Sequence, residues 1–130
     1  MIRITEDDFD IGKVIRAAKS DEAGAVVTFL GTVRDDGINA IEVEAYREAV
    51  VSQLEEIRSE AMSRFNLKSA DIIHRSGLLA VGENIVIIAC AAAHRKEAFD
   101  GCSYIIEEIK ARVPMWKKEK TEEGDRWVGL

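Results

Sequence analysis

Sulfur, imidazole and proline are scarce in this chain, with two cysteines, two histidines and one proline among 130 residues. Cys90 and Cys102 sit in apolar runs without C-x-x-C spacing, and His74 and His94 complete no local set of metal ligands. Both cysteines read as small buried hydrophobes, and no metal is expected. Long apolar runs are also missing. The longest, Ile85 to Ala93, is nine residues, whereas a membrane helix needs about 20. The opening Met-Ile-Arg-Ile-Thr-Glu lacks the apolar core of a signal peptide. The expectation is a cytoplasmic protein with no membrane association. Neither G-x-G-x-x-G nor G-x-x-x-x-G-K-[ST] occurs, which disfavours a nucleotide-binding doubly wound sheet.

What is present fits a compact fold: 47% hydrophobic and 32% charged residues. A chain of this length is expected to form a single domain over 1–130 and to bury about two-thirds of its unfolded surface. The net charge of −6 argues against nucleic acid as a partner for the whole surface. The charge is uneven, however. Between Lys110 and Lys120 stand Lys110, Arg112, Lys117, Lys118 and Lys120 against one anion, Glu119. Such a strip is most often a solvated face, and on an acidic protein it also suits a small anion.

Hydrophobic periodicity predicts a helix over 6–19 after a Thr5-x-x-Asp8 start. A β-branched strand follows over 24–34, then an Asp35–Asn39 turn and a strand over 40–46, which together suggest a hairpin. Val50, Val51, Leu54, Ile57, Ala61, Met62 and Phe65 trace the stripe of a helix over 47–66. Strands are expected over 72–79 and 84–93. A further helix over 95–112 turns Phe99, Cys102, Ile105, Ile106 and Ile109 to the core, and Pro114 stops it. Two short strands, 115–120 and 126–128, close the chain. Hairpins joined by helices imply an α+β fold: a mainly antiparallel sheet with helices packed on it.

Three places could carry chemistry. Gly31 within a strand suggests a bulge or close approach, and Arg34 at its end can present paired donors to a phosphate or carboxylate, or simply pair with Asp35 or Asp36. His94-Arg95 opens a helix with no Ser, Thr, Asp or Asn at the cap, so free amides, imidazole and guanidinium stand together there. Lys110 lies in a last helical turn. In the extended segment beyond, Lys117 and Glu119 share one face, Trp116 and Lys118 the other. A lysine among apolar and cationic neighbours loses its proton more readily. No Ser/His/Asp or Cys/His set is evident, so catalysis here would rest on lysine and arginine. Trp116 and Trp127 read as core or interface packing.

The run Lys110-Ala-Arg-Val-Pro-Met-Trp-Lys-Lys-Glu119 resembles the K-x-x-x-P-[hydrophobic]-W-K-x-E signature of the large, catalytic subunit of molybdopterin synthase. Phe29-x-Gly31-x-Val33-Arg34, Glu44-Ala45-Tyr46, His74-Arg75-x-Gly77-x-Leu79 and His94-Arg95-x-x-Ala98-Phe99 resemble it too, in family order. The resemblance implies an enzyme that converts cyclic pyranopterin monophosphate (precursor Z) to molybdopterin. Two sulfurs would come from the C-terminal Gly-Gly thiocarboxylate of a small ubiquitin-like subunit. It implies a heterotetramer built on a dimer of large subunits, and no cofactor. By motif, Lys110 and Lys117 match catalytic lysines, Lys110 near the inserted thiocarboxylate. Arg34, His94 and Arg95 match anion- and pterin-binding positions, with Lys118 and Glu119 beside them, and Phe29 and Met115 match pocket walls. The chain departs from the family in ending three residues after Trp127, and in Ala49-Val50 and Ala92 where Met-Ala and serine are common. A noncatalytic module that docks an acidic tail is the alternative reading, and nucleic-acid binding through 110–120 a distant third.

Overall fold

The computed structural model describes residues 1–128. In chain order the elements are β1 (Ile2–Thr5), α1 (Ile11–Ala18), β2 (Ala25–Thr32), β3 (Ala40–Ala45), α2 (Arg47–Arg64) and β4 (Ser69–Arg75). There follow β5 (Gly77–Ala80), β6 (Asn84–Ala92), α3 (Arg95–Arg112), β7 (Met115–Thr121) and β8 (Gly124–Val128). They form two four-stranded sheets, ordered β1-β4-β6-β2 and β5-β3-β7-β8. All pairings are antiparallel except β1 with β4. The α+β architecture expected from the sequence is the one found.

The centre of the first sheet is apolar on both faces because both are covered. Ile72, Ile88 and Cys90 join the large core shared with Leu54, Ile57, Ile105 and Ile109 from α2 and α3. Ile73, Ile87, Ala89 and Ala91, on the opposite face, pack with Val14 and Ala18 of α1. Each fully buried Leu or Ile contributes roughly 1.5–3 kcal/mol. Cys90 and Cys102 are buried and unbridged, as their surroundings suggested.

Four sequence expectations need correction. The first helix starts at Ile11, capped by Asp10, whose carboxylate accepts from Lys13 N at 3.0 Å. The segment before it is not helical, and Ile2–Thr5 is a strand held by parallel pairing with β4, a long-range cause that local pattern does not reveal. The 24–34 and 40–46 strands do not form a hairpin: β2 pairs with β6, and β3 with β5 and β7. The expected 72–79 strand is two strands in different sheets, separated where Gly77 takes φ 91°, a conformation that glycine adopts without steric cost. Phe99 lies on the outside of α3, 59% exposed, and not in the core.

The switch between sheets is fastened by a buried guanidinium. Arg75 Nη1 donates to Glu83 Oε1 at 3.2 Å and Asn84 O at 3.1 Å, and Nη2 donates to Glu6 O at 2.9 Å. Among the described residues no helix is long and apolar enough to cross a membrane.

Candidate functional site

Lys117 is placed by alternation along β7. Its cross-strand partner is Val43, while Glu119 opposes Ile41 and Met115 opposes Ala45. Ile41, Val43 and Met115 are buried in the core, so Lys117 issues from the apolar face of its sheet and is half-buried. Burial holds its ammonium below the ordinary lysine range, and the nearby Lys110 charge adds to the effect. The neutral amine is therefore more available than on a free lysine.

Lys117 lines a cavity of about 220 Å³ together with Thr32, Arg34, Ile85, Glu119 and Val128. Arg34, 85% exposed at the rim, pairs through Nε with Asp36 Oδ2 at 2.7 Å. The pairing alternative weighed for this arginine is thus present, and Arg34 still borders the cavity. Glu119 Oε1 accepts from Arg126 Nε at 3.0 Å and Nη2 at 2.6 Å. Lys110 stands outside the lining, in the last turn of α3, where its charge is felt by Lys117.

Other candidates fall elsewhere. Lys118 points from the opposite face of β7, with its ammonium 4.6 Å from the Trp127 ring centroid and 3.9 Å from Glu42 Oε1. Met115 is buried in the core. Phe29 is partly buried on β2 against the core, beside Gly31 at a register shift in the β2–β6 ladder. Trp116 and Trp127 are about half exposed, and Trp116 meets Tyr46 edge-on at 6.4 Å between centroids. The outer face of the second sheet is therefore aromatic and open.

His94 and Arg95 form a second cluster. His94 caps α3 without a side-chain hydrogen bond to the helix and is 82% exposed, with Nδ1 3.7 Å from Glu97 Oε2. With Gly24, Ala93 and Lys96 the pair lines an open depression. At about 1.5 Å of rise per residue, Arg95 lies roughly 22 Å along α3 from Lys110. Within one protomer, then, the His94–Arg95 end of α3 and its lysine end are separate.

Sequence reasoning passed over His74. It is 3% exposed, and its Nδ1 lies 2.8 Å from Arg75 O. Burial pushes its pKa down to about 4, with the Lys117 charge acting in the same direction. The H-R-x-G-x-L motif was the available signal. Among the described residues no His, Cys, Asp and Glu group could hold a metal.

Comparison with known proteins adds a family and its relatives. The family described as MoaE protein matches residues 4–112. The molybdopterin synthase catalytic subunit of Pyrococcus abyssi is 43% identical over 126 residues, covering 94% of this chain and 85% of that one. Molybdopterin synthase from Staphylococcus aureus superposes with a TM-score of 0.91 at 34% identity, over 98% of this chain and 96% of that chain. The MoaE protein from Burkholderia ambifaria gives a TM-score of 0.87 at 40% identity, over 98% and 88%.

Proposed function

The chain belongs to the MoaE family, and from that premise we propose that it is the catalytic subunit of a molybdopterin synthase. It takes sulfur from the thiocarboxylated C-terminus of a small ubiquitin-like subunit and delivers it twice to cyclic pyranopterin monophosphate. The observation that carries this reading is the cavity in which Lys117, Arg34 and Glu119 meet beside Lys110. Thiocarboxylate and phosphate are both anionic, and cations beside the cavity neutralise their approach and stabilise charge as sulfur moves. Lys117, with its proton loosely held, exchanges protons with the pterin. Lys110 and Arg34 hold the anions. Phe29 shapes the wall, Met115 supports it from beneath, and Lys118 and Glu119 complete the polar surround.

A cavity of about 220 Å³ is small for a phosphorylated pterin, since ligand sites usually span roughly 300–1,000 Å³. A second copy of the chain supplies the remainder. β2 is an edge strand, uncharged from Ala25 to Thr32, and unprotected edges invite pairing. Its entry lies beside His94 and Arg95, because Gly24 N donates to Ala92 O at 2.9 Å, and its exit leads to Arg34. Antiparallel pairing of β2 with its counterpart about a two-fold axis brings His94 and Arg95 of one copy toward the Lys117 cavity of the other. Small subunits at the outer ends complete a heterotetramer.

The test mixes the purified protein with a thiocarboxylated small subunit and cyclic pyranopterin monophosphate and assays dithiolene. Product is expected with the native chain and none with Lys117→Ala, while small-subunit binding persists. A docking module would instead give no product with either chain, and Lys117→Ala would lose affinity.

A further inference from the structure

The Glu44-Ala45-Tyr46 run and Trp116 stand out in the sequence, yet sulfur transfer at Lys117 leaves them unused. They meet on the outer face of the second sheet. On that face Trp116 stands opposite Glu44, Lys118 opposite Glu42 and Trp127, and Lys120 opposite Asp125. At Lys118 the face holds a cation of its own. The ammonium lies 4.6 Å from the Trp127 ring centroid and 3.9 Å from Glu42 Oε1, so a ring and a carboxylate share one positive charge. Two residues along the same strands, Glu44 and Trp116 repeat that combination. Tyr46 adds a second ring, its centroid 6.4 Å from that of Trp116 and its plane turned by 86°. Glu44, Ala45, Tyr46 and Trp116 line a cavity of about 270 Å³.

The neighbouring cations are engaged elsewhere. Lys118 is taken by Glu42, and Lys120 by Asp125 Oδ2 at 2.9 Å. Arg47 lines a separate depression with Arg3 and Ser76. Among the described residues no ion pair engages the Glu44 carboxylate, and Tyr46 is 75% exposed. Two perpendicular rings and a carboxylate suit a guanidinium, whose plane stacks on aromatic faces while its edge donates to carboxylate oxygens. The corner is shallow and offers no cation of its own for an α-carboxylate. A free amino acid would stay largely in water there, whereas small-molecule sites bury most of their ligand. A side chain carried on another protein surface needs no such enclosure, and exposed Tyr and Trp are typical anchors of protein interfaces.

We propose that Glu44, Tyr46 and Trp116 form a receiving site for an arginine side chain of a protein that docks on the outer face of the second sheet. The carboxylate pairs with the guanidinium, and the two rings cover its faces. The site is separate from the Lys117 cavity, whose lining comes from the inner face of β7, and the proposal does not depend on sulfur transfer.

The chain has two tryptophans, so two indole N–H signals report on the isotope-labelled full-length protein, and Trp127→Phe assigns them. Titration with Nα-acetyl-arginine amide is expected to move the Trp116 signal with millimolar half-saturation. Trp127, whose ring already faces Lys118, is expected to stay. Nα-acetyl-citrulline amide has nearly the same shape without the charge and is expected to move neither. Glu44→Gln and Tyr46→Leu, both changes at the surface, are each expected to weaken the arginine response by about threefold or more. Free arginine is expected to bind no more tightly than the capped form. A Trp116 signal that stays still, that citrulline moves equally, that Trp127 follows equally, or that is indifferent to either substitution overturns the proposal. A preference of about tenfold for free arginine would assign the corner to a free amino acid and overturn the docking role.

Discussion

Lys117 on the inner face of β7 stands within electrostatic reach of Lys110 in the last turn of α3, and the second charge helps hold the first below its ordinary pKa. Two cations brought together beside an apolar wall repel one another, and an arriving anion relieves that repulsion. The geometry is costly to an empty site and favourable to an occupied one.

Removing Lys110 tests that coupling. With Lys110→Ala the like-charge neighbour is gone, so the Lys117 pKa rises toward the normal lysine value of about 10.4. If the neutral amine is the active form, the rising limb of the rate–pH profile moves to higher pH. An unchanged limb with a uniformly lower rate would assign Lys110 to anion binding alone.

Lys117→Ala is expected to lower turnover by at least about a hundredfold, the lower range of a lost acid–base group. Lys117→Arg separates proton exchange from charge, because a guanidinium keeps the charge and does not release its proton. Activity near native in Lys117→Arg would make the role electrostatic. Single-turnover rates with preloaded small subunit measure both.

His74 makes stability depend on pH. Its folded-state pKa of about 4 lies below the ordinary histidine value of 6.5, so between those values the unfolded chain binds the extra proton. Stability from the neutral buried ring is present above about pH 6.5, falls as pH drops through that window, and is lost near pH 4. A shift of this size corresponds to about 3 kcal/mol. Urea unfolding of the native chain and His74→Gln at pH 7 and pH 4.5 is expected to show the native chain losing more stability on acidification. Parallel losses in the two proteins would contradict this assignment.

Gly24 has a packing reason to be glycine. A Cβ there would fall inside van der Waals contact of the Ala93 carbonyl oxygen. Gly24→Ala therefore separates the entry of β2 from the end of β6, at a cost of about 1–3 kcal/mol. It also disturbs the His94–Arg95 depression. A lowered melting temperature with weakened substrate binding is the expected outcome.

Much of this was legible in the sequence where local pattern controls structure. α3 runs from Arg95 to Arg112 as its periodicity and Pro114 indicated, and alternation placed Lys117 and Glu119 on one face of β7. What escaped was decided at long range. β1 is four residues that become a strand by pairing with β4, and Asp35–Asn39 has the composition of a hairpin turn although its flanking strands go to different sheets. Phe99 fits the apolar stripe of α3 and is nevertheless exposed. His74 stood out in the sequence only within the His74-Arg75-x-Gly77-x-Leu79 run, and its burial is decided by packing of β4 on β6.

The central claim is that the His94–Arg95 cluster of one copy and the Lys117 cavity of another act on a single substrate. Mixing Arg95→Ala with Lys117→Ala, each nearly inactive alone, tests it after unfolding and co-refolding. If the site spans two copies, each mixed dimer holds one intact site, and random assortment restores about a quarter of native activity. If each copy carries its own complete site, every site in the mixture lacks one group and activity stays at the level of the separate variants, which would contradict the account.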